Sequence, residues 1–495
     1  MSTKKKNLPK SIQSKPINIP DYKSGVEVIP CGPAADGVTG SCTLVRTSDI
    51  QFLIECGLYQ KSGGVEEQYK VNNSQFPFDP KEINFVIVGH CHGDHILRIP
   101  LLFKRGFRGT VYMPSGSIEI AEILMRDSAN IAERDAEEMA HKGYHVLPLY
   151  NHEDVDIALD HIEELPMKTE IALNQYVTVK YLPSGHIMNA AQIEISVKTE
   201  NQTKTIGYTS DLGNIHIRKP FVNKFEPIKK VDMLIGETTY AAADHVATQE
   251  TRNKDMENLQ SIVQEICAER RGKILIPAFA NARSQEILVC LYKLFKDDPF
   301  FHVPVIYDSP MGSRICAEYL NLLEGEDYDL FWEALNWRNV RIIDSYIDST
   351  AWREDPSPSI VIASSGMLDF GRSKEHAKKI IKNAKNAILF CGFAVDGSLA
   401  HMLKEKKDSE FFHINLDKEK ITVRCRIYEM LSFSSHMQAD SLLNYYSDVE
   451  CNSILLMHGE SEKREEFVPI LSQTRKNKGR KGKIYNAVSG HVFKV

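Results

Sequence analysis

The sequence predicts an α/β fold of more than one domain, and three observations predict it. After about residue 25, short β-branched runs end in turn signals, the mark of strands. Beyond Tyr240 the rhythm changes to alternating helix and strand, the mark of a layer with a parallel sheet. Several apolar strands also stop at a histidine or an aspartate. Ligand-binding groups gather at the carboxyl ends of strands in layered α/β folds.

Composition bounds the reading. The 495 residues are 42% hydrophobic and 25% charged, the balance of a globular protein rather than a disordered one. The longest apolar runs, such as 274–280, fall far short of the ~20 residues of a membrane span, so no membrane partner is expected. With 60 basic and 66 acidic side chains the net charge is −6. Nucleic acid would have to be held by a local basic patch or a bound metal, not by overall charge. The ten cysteines include no C-x-x-C pair and are too sparse for a disulfide scaffold. The basic start has no apolar stretch behind it, so a secretory signal is not expected and a reducing cytoplasm is.

Taken in order, residues 1–24 read as a flexible basic tail. Strands are expected at 26–29, 42–46, 51–55 and 85–88, then a helix at 118–143 where apolar residues recur at three and four. Strands return at 176–182, 193–198, 205–209 and 231–235. Helices at 249–269 and 283–295 flank a strand at 273–279, with further buried strands at 303–307, 359–363 and 387–393. A helix at 440–446, a strand at 453–457, a helix at 461–471 and a basic loop at 475–483 lead into a final strand.

One segment dominates the chemistry. The apolar run from Phe85 feeds into His90-Cys91-His92-Gly93-Asp94-His95. In extended backbone, positions i and i+2 face one way, so His90 and His92 can grip one ion. Asp94 and His95 lie past Gly93, where the chain can turn toward a second. Imidazole and carboxylate without thiolate suit zinc in an open hydrolytic site. Other strand ends supply Pro183-Ser184-Gly185-His186, Ser210-Asp211-Leu212-Gly213 and His458-Gly459-Glu460.

In this order the motifs resemble the metallo-β-lactamase superfamily. Gly236-Glu237-Thr238-Thr239-Tyr240, Pro277-Ala278-Phe279-Ala280-Asn281-Ala282-Arg283, Ser364-Ser365-Gly366-Met367 and Phe433-Ser434-Ser435-His436 narrow the resemblance to the β-CASP nucleases, the group that includes ribonuclease J. The resemblance implies an αββα sandwich interrupted by an inserted α/β β-CASP domain. Its parts would be 25–240, the insert 241–429, and 430–495. It further implies two Zn²⁺ ions. His90, His92, His186 and Asp211 would surround one, and Asp94, His95, His458 and the shared Asp211 the other. His436 corresponds to the general acid and Glu237 to the carboxylate that orients it, with Asp94 also counted among the catalytic groups. Glu55 stands where the family has aspartate, one methylene longer, in the place of a support for the histidine ligands. Gly89 stands where threonine is common, and Ala282 where glycine is usual. Phosphate or RNA contacts are expected from Arg283, Ser364, Ser365, Gly366 and Arg372, because turns that open helices attract phosphate.

The implied function is hydrolysis of RNA phosphodiesters in single-stranded segments, leaving 5′-phosphate and 3′-hydroxyl ends. The chain ends soon after His458, which favours an endonuclease over a 5′ exonuclease. The expected partner is single-stranded RNA, with a homo-oligomer left open. A DNA nuclease is the nearest alternative, and His458 argues against it. A small-molecule hydrolase of lactamase or thioester type is the other, and the long insertion with His436 argues against that.

Overall fold

The computed structural model describes residues 17–60, 64–241, 247–392, 394, 397–409, 411–417 and 419–495. Most of the basic segment expected to be a flexible tail lies outside these residues. The chain divides into two compact units. The first holds the chain up to Ile215, residues 222–241, and His436–Val495; the second holds His216–Phe221 and Ala247–Ser435. The return to the first unit thus falls at His436, a few residues later than the sequence suggests, and a short piece before Val222 belongs to the second unit.

The first unit is a sandwich of two seven-stranded sheets. One runs in the order Phe493–Lys494, Glu27–Pro30, Thr43–Arg46, Gln51–Ile54, Phe85–Ile87, Thr110–Pro114, Ile162–Leu165. The other runs Lys483–Asn486, Ser453–Met457, Met233–Glu237, Thr203–Tyr208, Ala191–Lys198, Val177–Pro183, Glu170–Ala172. Alternation in these strands puts every second side chain between the sheets. Phe52, Ile54 and Ile87 from one sheet meet Val179, Ile193, Ile206, Ile235 and Leu455 from the other. The rings of Phe52 and Phe85 stack at 4.8 Å across neighbouring strands.

Parallel pairing levels the strand ends that carry the chemistry. Ile54 pairs with Ile87, so Glu55 and the His90 loop leave one sheet side by side. Tyr208 pairs with Ile235, and Ile235 with Leu455, so the Asp211 loop, Glu237 and His458 emerge together from the other.

The second unit carries a parallel six-stranded sheet in the order Val340–Ile342, Val305–Asp308, Ser359–Ala363, Lys273–Pro277, Ala387–Phe390, Arg426–Glu429. Its central strands are buried along their whole length, as befits strands covered by helices on both faces. The helix Arg283–Phe295 matches the sequence reading. The helix expected at 249–269 is α-helical only over Gln249–Val263 and widens into a π-helical turn at Gln264–Glu269. A hairpin, Phe412–Leu416 with Glu419–Val423, lies outside the six-stranded sheet. No described helix is long and apolar enough to cross a membrane.

One sequence reading is corrected at the last helix. It continues over Ser461–Asn477, so the basic stretch expected as a loop from 475 starts inside it. Arg475 is buried, and its guanidinium donates to the carbonyls of Tyr446 at 2.5 Å, Val449 at 3.0 Å and Lys481 at 3.1 Å. It ties this helix to the end of the helix Ala439–Asp448 rather than facing nucleic acid. Arg475→Ala should therefore lower stability by about 3 kcal/mol, because buried carbonyls lose a charged donor. The denaturant midpoint reads this. A variant with unchanged midpoint and weakened RNA binding would reverse the assignment.

Candidate metal centre

Three residues at the strand ends of the first unit hold left-handed backbone without being glycine: Glu55 at φ 61°, Ser210 at 48° and His458 at 53°. Such conformations are uncommon and persist where the surroundings over-determine them, typically at functional sites. Two glycines of the motifs are required by close approach. A Cβ on Gly213 would lie 1.7 Å from the carbonyl oxygen of Gly185, so the Asp211 loop and the His186 loop touch through bare backbone. A Cβ on Gly57 would lie 1.7 Å from the carbonyl oxygen of Asp94.

These loops gather six side chains around the Asp211 carboxylate. Oδ2 lies 3.6 Å from His90 Nε2 and 3.5 Å from His186 Nε2. His92 Nδ1 completes that side, 3.0 Å from His90 Nε2 and 3.3 Å from His186 Nε2. Oδ1 lies 3.5 Å from His95 Nε2 and 3.4 Å from His458 Nδ1. Asp94 Oδ2 stands 3.6 Å from His95 Nε2 and 3.5 Å from His458 Nε2. Most of these separations are too long for good hydrogen bonds. They suit atoms sharing an ion, since tetrahedral ligands about 2.0–2.1 Å from zinc lie roughly 3.3 Å apart. Two groups can therefore hold an ion: His90, His92, His186 and Asp211, and Asp94, His95 and His458 beside the other Asp211 oxygen.

Orphaned atoms support the fit. Asp211 Oδ1, His95 Nε2 and His458 Nε2 are buried with no hydrogen-bond partner among the described residues. Buried polar atoms without partners are rare and costly, and a cation at this point would satisfy them together. Burial pushes the His90 and His186 imidazoles well below their ordinary range and His92 down to about 4, which keeps these rings neutral and free to ligate. Burial works against the Asp211 charge, yet His458 and His95 beside it hold its carboxyl well below the carboxylate range.

Glu55 shows how the rings are oriented. It is fully buried, and its Oε2 accepts from His95 Nδ1 at 2.6 Å and Tyr208 Oη at 2.5 Å. Its Oε1 accepts from Ser210 Oγ at 2.9 Å and from the Gly89 amide at 3.3 Å. Binding Nδ1 leaves His95 Nε2 to face Asp211 and Asp94. Ser210 Oγ also meets His90 Nδ1 at 2.9 Å, which turns His90 Nε2 toward the cluster in the same way. The Gly89 departure now has a physical reason. A Cβ there would lie 2.4 Å from Ser210 Oγ, so the hydroxyl fills the space a larger residue would take. The sequence motifs do not include Tyr208, and they include Ser210 only as the residue before Asp211. A tyrosine closing a strand just before Ser-Asp-Leu-Gly is the signal that could have raised them.

His436 lies beside this cluster, its ring centroid 4.6 Å from that of His186. It forms a short bridge with Gly213, and the Met437 amide donates to the Leu212 carbonyl at 2.7 Å. Glu237 Oε1 stands 3.4 Å from His436 Nδ1. The same carboxylate is held rigidly, accepting from the Leu212 amide at 3.0 Å and the Thr239 amide at 2.8 Å.

The expected phosphate contacts all fall in the second unit, and one needs correction. Arg283 is buried, pairs with Glu286 and donates to Ser435 Oγ at 2.7 Å, so its guanidinium is consumed internally. Ala282, at φ 71°, takes there the left-handed backbone that glycine adopts freely. Ser364, Ser365 and Gly366 turn against the helix Gly371–Ile380, whose Ser373 amide donates to the Ser364 carbonyl at 2.8 Å. Ser365 Oγ is buried with no partner among the described residues. The Arg372 guanidinium lies over the Tyr346 ring, 5.2 Å from its centroid.

Comparison with known proteins agrees with this architecture. Residues 35–163 match the metallo-β-lactamase superfamily, 284–403 the Beta-Casp domain, and 420–478 the Zn-dependent metallo-hydrolase RNA specificity domain. The chain belongs to the β-CASP family of metallo-β-lactamase-fold nucleases. It is 29% identical over 444 residues to a ribonuclease of Thermus thermophilus, covering 88% of this chain and 94% of that one. It is 25% identical over 447 residues to Cleavage and polyadenylation specificity factor 73 of Drosophila melanogaster, covering 89% of this chain and 61% of that one. A crystal structure of a protein of unknown function from Enterococcus faecalis has the same fold, with a TM-score of 0.52 at 12% identity over 95% of this chain and 100% of that one.

Glu55 yields a direct prediction. Glu55→Ala removes the acceptor of His95, Tyr208 and Ser210, and metal affinity should fall about 10–100-fold. Glu55→Asp keeps a carboxylate within partial reach and should lose only a fraction of that. Competition against a chelator measures both. Equal loss in the two variants would mean that the length of glutamate, not its charge, does the holding.

Proposed function

We propose that the protein is a two-zinc ribonuclease that cleaves single-stranded RNA internally and leaves 5′-phosphate and 3′-hydroxyl ends. The observation that carries this reading is the Asp211 carboxylate, each of whose oxygens faces its own group of imidazoles. One shared anion between two ion-binding groups is the arrangement in-line phosphoryl displacement uses. Imidazole and carboxylate donors without thiolate favour zinc. When bound, the two ions supply a water of lowered pKa and a counter-charge for the phosphate.

The chain's own residues do the rest. His90, His92, His186 and Asp211 would hold one ion; Asp94, His95, His458 and Asp211 the other. The departing 3′ oxygen leaves poorly unless protonated, and the imidazoles that would hold the ions have their inward-facing nitrogens committed to that task. His436 stands outside both groups and carries that proton, with Glu237 keeping Nδ1 engaged so that Nε2 is the delivering atom. Ser364, Ser365, Gly366 and Arg372 are the groups we assign to the RNA backbone. A turn at a helix start, beside an arginine, suits phosphate. The match to an RNA specificity domain over 420–478, which includes His436 and His458, supports RNA over DNA.

The purified protein should hold two equivalents of zinc by elemental analysis, and Asp211→Ala should lower both occupancies together. Retention of one equivalent by that variant would defeat the shared carboxylate. The test of function is end-labelled RNA and DNA of one sequence, incubated with and without a chelator. RNA should be cut internally, the chelator should stop it, and products should carry 5′-phosphates. Faster cleavage of DNA would overturn the assignment. His436→Ala should keep its zinc and lose about 10²–10⁴-fold in turnover, the usual worth of a positioned acid. A near-normal rate would remove His436 from the reaction.

A further inference from the structure

The chain leaves the first unit after Ile215 and returns to it at His436. On the first-unit side, these two passages are joined by the Gly213 to His436 bridge and by the Met437 amide on the Leu212 carbonyl. On the second-unit side they are joined again. Lys219 Nζ donates to the carbonyl of Ser435 at 2.7 Å, and Lys219 is buried. The peptide that enters His436 is thus pinned immediately before and immediately after that residue.

The second pin is built from charges. Arg283 Nη2 donates to Ser435 Oγ at 2.7 Å and pairs with Glu286. The other Glu286 oxygen takes Arg252 Nη2 at 2.6 Å. The Arg252 guanidinium lies 3.5 Å from the centroid of the Phe433 ring, and Asp255 accepts from both the amide and the hydroxyl of Ser432 at 3.0 Å and 2.6 Å. Three buried cations around one carboxylate are a costly way to tie a turn, since each must leave water. Burial pushes the Lys219 ammonium down to about 7, with Arg283 and Arg252 pushing the same way and Glu286 opposing. A neutral turn would hold the chain at less cost, so the expense points to a task in which the place of the turn matters.

We propose that Lys219 is a positioning residue for the proton donor. By gripping the Ser435 carbonyl it fixes the main chain that carries His436, and with it the point from which the proton reaches the departing 3′ oxygen. The inference rests on His436 being that donor. Misplacing a catalytic group by about 1 Å can cost on the order of 10²-fold, so the grip on a neighbouring peptide has leverage.

The test compares two substrates on the holoenzyme. Single-stranded RNA has a poor leaving group that needs the proton. Bis(p-nitrophenyl) phosphate has a good one that does not. Lys219→Met removes the donor but leaves Glu286 paired with its two arginines, so no buried carboxylate is left uncompensated. It should lower kcat on RNA about 10-fold or more, as a part of what the acid contributes, with KM little changed. The aryl ester rate and the zinc content should stay as in the parent. Lys219→Gln, whose amide also donates, should recover part of the loss. Lys219→Met with His436→Ala should be no worse than His436→Ala alone, because the two act through one step. Arg283→Met, acting on Ser435 from the other side, gives a second probe with the same expected pattern should Lys219→Met fail to fold.

Equal losses on both substrates, a raised KM, or losses that multiply in the double variant would overturn the proposal; the first two would make Lys219 a structural or phosphate-binding group. The readings beneath it fail separately. A parent enzyme that cuts no RNA defeats the ribonuclease, and a His436→Ala enzyme slowed alike on both substrates defeats the donor. A His436→Ala enzyme slowed only on RNA, beside an unaffected Lys219→Met, defeats this inference alone.

Discussion

The Asp211 carboxylate lies on the seam of the first unit, and the arrangement of both sheets follows from what it must meet. Its two oxygens face different partners, His90 and His186 on one side, His95 and His458 on the other. Those partners come from loops far apart in sequence, so each sheet must deliver its loops at one level. Parallel pairing does this for the Glu55, His90, Asp211 and His458 loops, because registered strands of equal depth end together. The His186 loop is brought level by the antiparallel strand Ala191–Lys198 between its own strand and that of Asp211. Bare backbone at Gly185 and Gly213 then lets the His186 and Asp211 loops close to contact distance.

Much of this was legible in the sequence, for a physical reason. Strands buried on both faces are written as unbroken apolar runs, and the runs ending at Pro277, Ala363 and Met457 are of that kind. Strands at sheet margins were lost. Ile162–Leu165 is Ile-Glu-Glu-Leu, with two acids that read as loop, and only its pairing with Thr110–Pro114 makes it a strand. Glu170–Ala172 and Val340–Ile342 are edge strands of three residues, too short to show an alternation. Spacing alone can show that His90 and His92 share a side. It cannot show that Tyr208 reaches Glu55 across 153 positions. Arg283 marks the opposite failure. A basic residue at a helix start looks like a phosphate contact until the buried acid that pairs with it is seen.

Two of the departures from the family pattern, Glu55 and Gly89, are connected through Ser210. The longer Glu55 reaches both His95 and Tyr208, and its second oxygen is left for Ser210 and the Gly89 amide. Ser210 needs the room that a side chain at position 89 would occupy. Length at one position, absence at a second and a hydroxyl at a third are thus mutually dependent. A single reversion toward the family residue would meet a neighbour shaped for the other arrangement.

The strand Ser453–Met457 lies between Met233–Glu237 and Lys483–Asn486 in the second sheet of the first unit, although the whole parallel-sheet insert separates it in sequence from Met233–Glu237. On the ribosome this fixes an order of events. The insert emerges as a nearly continuous segment and can acquire its structure while the first sandwich still lacks an inner strand. His458, at the tip of that strand, is the last member of the cluster to be synthesised. The nascent chain therefore carries an incomplete centre through most of its synthesis, and its capacity for hydrolysis arrives only when the final strands slide into place.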